Sequence, residues 1–167
     1  MTANLKVIGD FVEKRADMCL FFPVHPNPNV KGLAEEILGN RERIYLLEPL
    51  DYSDFLATMK SAWLILSDSG GIQEEAPSLG KPLLILRENT ERPEAIRSGV
   101  AKLVGSSPGS LKQFLEENYT VETWINSVKE VGNPFGDGKA APRIVRIIEE
   151  TFRSRAMAAR ADQRLLF

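Results

Sequence analysis

The chain has 167 residues, 43% of them hydrophobic and 26% charged, with a formal net charge of -2. That suits one globular domain with a proper core and offers no basic field to attract nucleic acid. No apolar run is long enough to span a bilayer and no secretory signal opens the chain. The single cysteine, Cys19, leaves no internal disulfide framework and fits a reducing cytoplasm.

In chain order, Leu5, Ile8, Phe11 and Val12 make the apolar stripe of a first helix. Met18 to Val24 follows as a buried strand, ended by Pro23 and Pro26, with Cys19 as one of its core residues. Val30 to Leu38 reads as a helix stopped by Gly39-Asn40. Ile44-Tyr45-Leu46-Leu47 is a second strand, and Asp51 or Ser53 caps a helix carrying Phe55, Leu56 and Met59. Trp63 to Ser67 is a third strand, running into a short helix from Gly71 to Leu79. Leu83 to Leu86 and Ala101 to Val104 are the fourth and fifth strands. Ser110–Glu117 and Val121–Val131 read as surface helices, and Ala141–Phe152 is amphipathic through Ile144, Ile147, Ile148 and Phe152. The tail after Arg153 either extends the last helix or frays. Strands apolar through their length, alternating with helices, predict a doubly wound α/β domain whose parallel strands are buried on both faces.

The third strand enters the turn Ser69-Gly70-Gly71, and a helix begins at once. In open parallel sheets, ligands sit outside the carboxyl ends of the strands. A helix start exposes unpaired N–H groups and the positive end of a dipole. Paired glycines let an anion approach the backbone, and Ser69 adds a hydroxyl, so the turn can cradle a diphosphate without a lysine. The same residues also make plain structural turns. Glu74 and Glu75 either compensate the helix dipole or accept hydrogen bonds from a ribose diol. After the fourth strand, Arg87 to Glu94 leaves the same end of the sheet. Arg92 or Arg87 can offer a planar fork to phosphate, or the loop is simply solvated charge. His25, the sole histidine, stands before Pro-Asn-Pro as a structural hydrogen-bonder or a functional contact. Lys81 and Asp137 are candidates to anchor loops, and Asn133 to Gly138 is a turn that fixes the last helix.

Several segments, in this order, resemble the non-hydrolysing UDP-N-acetylglucosamine 2-epimerases. They are Phe22-Pro23-Val24-His25-Pro26-Asn27-Pro28-Asn29-Val30, Leu50 to Leu56, Asp68-Ser69-Gly70-Gly71-Ile72-Gln73-Glu74-Glu75-Ala76-Pro77 with its continuation to Pro82, Thr90-Glu91-Arg92-Pro93-Glu94-Ala95, and Asn133 to Ala140. The resemblance covers the first helix to about Glu150. It implies a Rossmann-like doubly wound parallel sheet, the C-terminal domain of a GT-B-like fold, lacking its first strand. Residues 1–153 would form that UDP-binding domain and residues 154–167 a tail.

Carried over by motif, Leu50 would present backbone to uracil and Phe55 would pack against it. Ser69, Gly70 and Gly71 would hold the diphosphate, Glu75 the ribose hydroxyls, and Arg92 the charged part of the nucleotide-sugar. His25 would line a second, regulatory UDP-sugar site. The implied reaction interconverts UDP-N-acetylglucosamine and UDP-N-acetylmannosamine by elimination and re-addition of UDP. It needs no metal or redox cofactor. The acid and base carboxylates belong to the N-terminal half of the family fold, so the chain alone is expected to be inactive. A separate N-terminal epimerase half or a second copy would then complete it. The alternatives are a non-catalytic UDP-sugar-binding or regulatory module, and a remnant of a truncated gene. A GT-B glycosyltransferase half is disfavoured by the Gln73-Glu74-Glu75-Ala76-Pro77 wording.

Overall fold

The structure is a computed structural model that describes residues 2–164. The chain divides into two compact units, Met1–Pro134 and Phe135–Phe167. The first unit carries α1 (Thr2–Glu13), β1 (Leu20–Pro23), α2 (Pro28–Leu38), β2 (Ile44–Leu47), α3 (Tyr52–Ser61), β3 (Ile65–Ser67) and α4 (Gly70–Ser78). It continues with β4 (Leu83–Ile85), α5 (Pro93–Arg97), β5 (Ala101–Leu103), α6 (Pro108–Thr120), α7 (Thr123–Ser127) and a 3-10 turn at Val128–Glu130. The second holds α8 (Ala140–Arg164), so the helix runs on past Arg153. Leu165, Leu166 and Phe167 lie outside the described residues.

The strands form two parallel groups, β1 with β2 and β3-β4-β5 in that order. Each crossover passes through a helix, as parallel pairing demands. Right-handed crossovers that run β1 to β2 in one direction and β3 to β5 in the other put their helices on opposite faces. Packing agrees. Helix α1 lies between α2 and α6, while α4 contacts α5 and β4. Ile8, Phe11 and Val12 of α1 meet Leu84, Val104, Leu111 and Leu115, and both Leu20 of β1 and Ile44 of β2 pack against that cluster. One helix therefore covers parts of both groups, as in a doubly wound sheet, and among the described residues no strand joins β1-β2 to β3-β4-β5.

Local chemistry explains the boundaries. The Asn27 Oδ1 accepts from the Asn29 N–H at 3.0 Å, and Pro28 fills the first turn of α2. Asp51 caps α3 by accepting from the Asp54 N–H at 2.9 Å, and Ser107 caps α6 ahead of Pro108. The Arg43 guanidinium donates to the Val12, Glu13 and Met18 carbonyls at 3.2 Å each, tying the end of α1 to the approach to β1.

Several expectations need correction. Cys19 is exposed and precedes β1, because the strand begins only at Leu20. The β1-β2 pair is not buried on both faces. Leu20 and Ile44 turn to α1, while their neighbours Phe21 and Tyr45 stack 5.1 Å apart and remain 52% and 48% exposed. Helix α6 exposes Lys112, Gln113 and Glu117 as a surface helix does, but its other face puts Leu111 and Leu115 in the core beside α1. Finally, Val121–Val131 breaks into α7 and a 3-10 turn, and a short helix, α5, stands where only a loop was expected.

Candidate functional site

The parallel register sets Ser67 of β3 beside Ile85 of β4, so both strands deliver their following loops to one end. Fully buried Leu83, Leu84 and Ile85 make β4 a rigid base for that end. From β3 the chain turns through Asp68 and Ser69 into α4 at Gly70. Ser69 is the N-cap, extended at φ -76 and ψ 134, and makes no side-chain cap hydrogen bond. Its hydroxyl and the first N–H groups of α4 are thus not spent on capping one another.

The two glycines behave differently from turn glycines. Neither is among the residues with positive φ, which here are glycines 80, 99, 105, 136 and 138 together with Asn40 and Arg43. A Cβ built on Gly70 would meet nothing within 4 Å, and one on Gly71 only the Ser69 Oγ at 3.8 Å. Neither strain nor packing requires glycine at these positions. The missing side chains leave open space over the helix start, where an anion would reach the N–H groups and the dipole.

The loop after β4 is held against α4. Arg92 donates from Nε to Glu74 Oε1 of α4, and its N–H donates to Thr90 Oγ1 at 3.0 Å. The Glu74 carboxylate, by hydrogen bond first and by charge second, holds the Arg92 guanidinium above its usual pKa. Arg87 instead pairs with Glu91 at 2.9 Å. Of the two arginines open in sequence, the structure puts Arg92 beside α4 and ties Arg87 within its own loop. Glu75, one residue beyond Glu74, has a buried Oε2 with no partner. A buried carboxylate oxygen without a hydrogen bond is costly, so a donor belonging to a ligand would relieve it.

The structure thus puts Ser69, Gly70, Gly71 and Glu75 on α4 or its N-cap and holds Arg92 against Glu74 of the same helix. Leu50 and Phe55 lie on the segment from β2 into α3, beyond the carboxyl end of the other strand group, half-buried. His25 is exposed after β1, where its Nδ1 accepts from the Asn27 N–H at 3.2 Å. Lys81 donates to the Ala62 carbonyl at 2.8 Å, and burial lowers its pKa. In the second unit, Asp137 takes both Arg143 Nη groups and the Lys139 N–H ahead of α8.

Sequence reasoning gave no role to Gln73 and Thr90. Gln73 is completely buried, its Nε2 donates to the Ser69 carbonyl at 3.3 Å, and its Oε1 accepts from Thr90 Oγ1. The available signal was a carboxamide on the inward face of a short helix, next to Ala76 and Pro77. Among the described residues no group of three or more His, Cys, Asp or Glu side chains could hold a metal, and no helix is long and apolar enough to cross a membrane.

Fold and site together define a Rossmann-like, doubly wound α/β domain of the GT-B kind, with its polar groups assembled at the carboxyl ends of the strands. The sequence profile of the UDP-N-acetylglucosamine 2-epimerase family matches residues 2–149, and the chain belongs to that family. It is 41% identical over 142 residues to UDP-N-acetylglucosamine 2-epimerase of Escherichia coli, covering 85% of this chain and 38% of that protein. Against a probable UDP-N-acetylglucosamine 2-epimerase of Ralstonia nicotianae it is 45% identical over 145 residues, covering 87% of this chain and 39% of the other. Among solved structures, the S. aureus MnaA–UDP co-structure superposes with a TM-score of 0.85 at 41% identity, covering 91% of this chain and 42% of that one. UDP-GlcNAc 2-epimerase from Neisseria meningitidis bound to UDP-GlcNAc gives 0.78 at 38% identity, covering 88% and 40%. The chain therefore spans about two fifths of the length of these relatives.

Proposed function

We propose that this chain is the UDP-holding half of a UDP-N-acetylglucosamine 2-epimerase, inactive until a complementary N-terminal half joins it. The observation that carries the reading is the uncapped, side-chain-free start of α4, flanked by Arg92 and by the unpartnered Glu75 Oε2. Ser69, the N–H groups at Gly70 and Gly71, and Arg92 hold the diphosphate. Glu75 accepts from the ribose hydroxyls. Leu50 backbone and the Phe55 ring take the uracil. The S. aureus structure was solved with UDP and the Neisseria structure with UDP-GlcNAc, which supports a uridine nucleotide as the ligand.

In the proposed reaction the C2 proton leaves the sugar and the C1–O bond to UDP breaks. UDP then adds back while C2 is protonated on its other face. Negative charge grows on the departing diphosphate, so donors fixed at the helix start favour the transition state over the ground state. Retention of UDP by this half keeps the elimination reversible. The carboxylates that move the C2 proton come from the N-terminal half. Here Glu74 is committed to Arg92 and Glu91 to Arg87.

The break in the sheet supports assembly. One edge of β1 pairs with β2 and one edge of β3 with β4, while the remaining edge of each carries no strand among the described residues. Open strand edges seek partners. A strand belonging to the N-terminal half, or to a second copy, fills the break beneath α1. His25 is kept as a regulatory contact for a second UDP-sugar. The setting is cytoplasmic, as a lone free cysteine suggests. Calorimetry with UDP, followed by assay of UDP-N-acetylmannosamine formation after mixing with the N-terminal domain of a relative, tests the reading. UDP binding and activity only in the mixture support it; no UDP binding removes it. Binding without activity in any mixture supports the second reading, a UDP-sugar-binding module without chemistry, which the committed carboxylates favour for the chain alone.

A further inference from the structure

Residues 73 and 74 follow each other on α4, yet one points inward and the other outward, and both grip the loop that carries Arg92. Inside, the carboxamide of Gln73 is used at both ends. Its N–H donates to the Ser69 carbonyl at 3.3 Å, and its oxygen accepts from the Thr90 hydroxyl. Thr90 Oγ1 in turn accepts the Arg92 backbone N–H at 3.0 Å. A chain of hydrogen bonds therefore runs from the diphosphate turn, through a fully buried side chain, to the backbone of Arg92. Outside, Glu74 takes the Nε edge of the guanidinium. Nη1 makes a longer contact, 3.4 Å, with the Glu91 carbonyl. A guanidinium has about five N–H donors in a fixed plane, so most of the fork stays uncommitted to either group. Arg92 also N-caps α5 without a side-chain cap bond, so its fork is not spent on its own helix.

We infer that Gln73 and Glu74 are positioning residues: Gln73 fixes the backbone of Arg92 relative to the Ser69–Gly71 turn, and Glu74 fixes the plane of its guanidinium. Both act on the anion only through Arg92 and the turn. A carboxylate in place of Gln73 could accept from Thr90 but could not donate to Ser69. An apolar side chain could do neither. Glutamate at 74 supplies an acceptor for Nε while leaving the terminal nitrogens to approach phosphate side-on, the geometry a planar fork needs. This inference rests on the proposed diphosphate role of the turn and of Arg92, and it adds a coupling between the two loops that does not depend on that role.

The test compares the full chain with Q73M, T90V, T90S and E74A, titrating UDP and uridine in parallel by NMR and measuring amide exchange without ligand. Loss of one charge-assisted contact should weaken UDP binding about tenfold in Q73M, T90V and E74A while uridine affinity holds within about twofold. T90S keeps the hydroxyl and should restore UDP binding. In the ligand-free chain, Q73M and T90V should speed exchange of the Arg92 amide, whose acceptor they loosen or remove. Equal losses for UDP and uridine would mark the network as merely structural and overturn the inference. Unchanged Arg92 exchange in T90V would overturn it whether or not UDP binds. If the unmodified chain takes up neither ligand while the variants still loosen Arg92, the coupling stands and the UDP reading is the part that fails. Should Q73M not fold, T90V removes the same link from the loop side.

Discussion

Adding a methyl group at Gly70 or Gly71 should move stability and binding in opposite directions. Both residues have ordinary backbone angles, and their Cβ positions are empty or in ordinary contact with Ser69 Oγ at 3.8 Å. Alanine there costs no strain and restricts the unfolded chain, which stabilises by about 0.5 kcal/mol. For a unit of this size that corresponds to a rise in Tm of roughly 2 °C. The same methyl stands in the space through which a diphosphate would approach the helix N–H groups. Losing one charge-assisted hydrogen bond, at about 1.5–3 kcal/mol, predicts a loss of UDP affinity of roughly tenfold to about 150-fold. Differential scanning calorimetry and isothermal titration on G70A and G71A read both quantities from one preparation. UDP affinity within twofold of the parent would refute the cradle. A fall in Tm would refute the claim that folding does not need glycine here.

Glu75→Ala should weaken UDP about tenfold by removing a charged acceptor, and should erase the preference for UDP over 2′-deoxy-UDP; a surviving preference in competition titrations would move the ribose contact elsewhere. Leu84→Ala removes a fully buried side chain from the cluster joining β4, α1 and α6, and should cost about 3 kcal/mol in urea unfolding, with a smaller loss showing that the site adjusts around the cavity. Asp51 is held below its usual pKa of 3.8 by the Asp54 N–H and then by the Ser53 hydroxyl. Its capping contribution is therefore complete above that value and fades as pH falls through the lower folded one. Protection of the Asp54 amide, measured against its intrinsic exchange rate at each pH, should fall only in that acid range, while D51N, which keeps the acceptor without titrating, should give a flat protection profile.

The parts of the fold legible in sequence were those that one short window determines. Leu83-Leu84-Ile85 reads as a buried strand because all its residues are apolar, and it is. Asn27-Pro28 and Asp51 announce their helices through capping chemistry that acts within three residues. The failures came where burial depends on partners distant in the chain. Phe21 is as apolar as Leu20 and Tyr45 carries a large ring, but only Leu20 and Ile44 meet α1, so the apolar run did not tell the covered face from the open one. Leu111 and Leu115 looked like sparse apolar points on a polar helix until α1 was brought against them. At the site, the Ser-Gly-Gly turn was visible because one short window holds an apolar strand, the turn and a helix start, although the same residues also serve as plain caps and turns. Gln73 and Thr90 were not, because their roles consist of hydrogen bonds to each other across 17 positions.

These observations bear on why the proposed site would depend on assembly. Ser69, Gly70, Gly71, Glu75 and Arg92 all hang on the β3-β4-β5 group, whereas Leu50 and Phe55 follow β2. If the first set holds diphosphate and ribose and the second holds the base, one nucleotide spans the break in the sheet. Beneath α1 no backbone ladder joins the two groups among the described residues, so their spacing is set by side-chain packing on Ile8, Phe11 and Val12. Side-chain packing tolerates small shifts that a hydrogen-bonded strand would not. A strand inserted at the break would fix that spacing, and a nucleotide gripping both groups would fix it too. Two ligands that favour the same spacing reinforce one another by thermodynamic necessity. On the proposed reading, assembly and UDP binding would then be a single coupled equilibrium, and the chain joined to its partner would hold UDP more tightly than the chain alone.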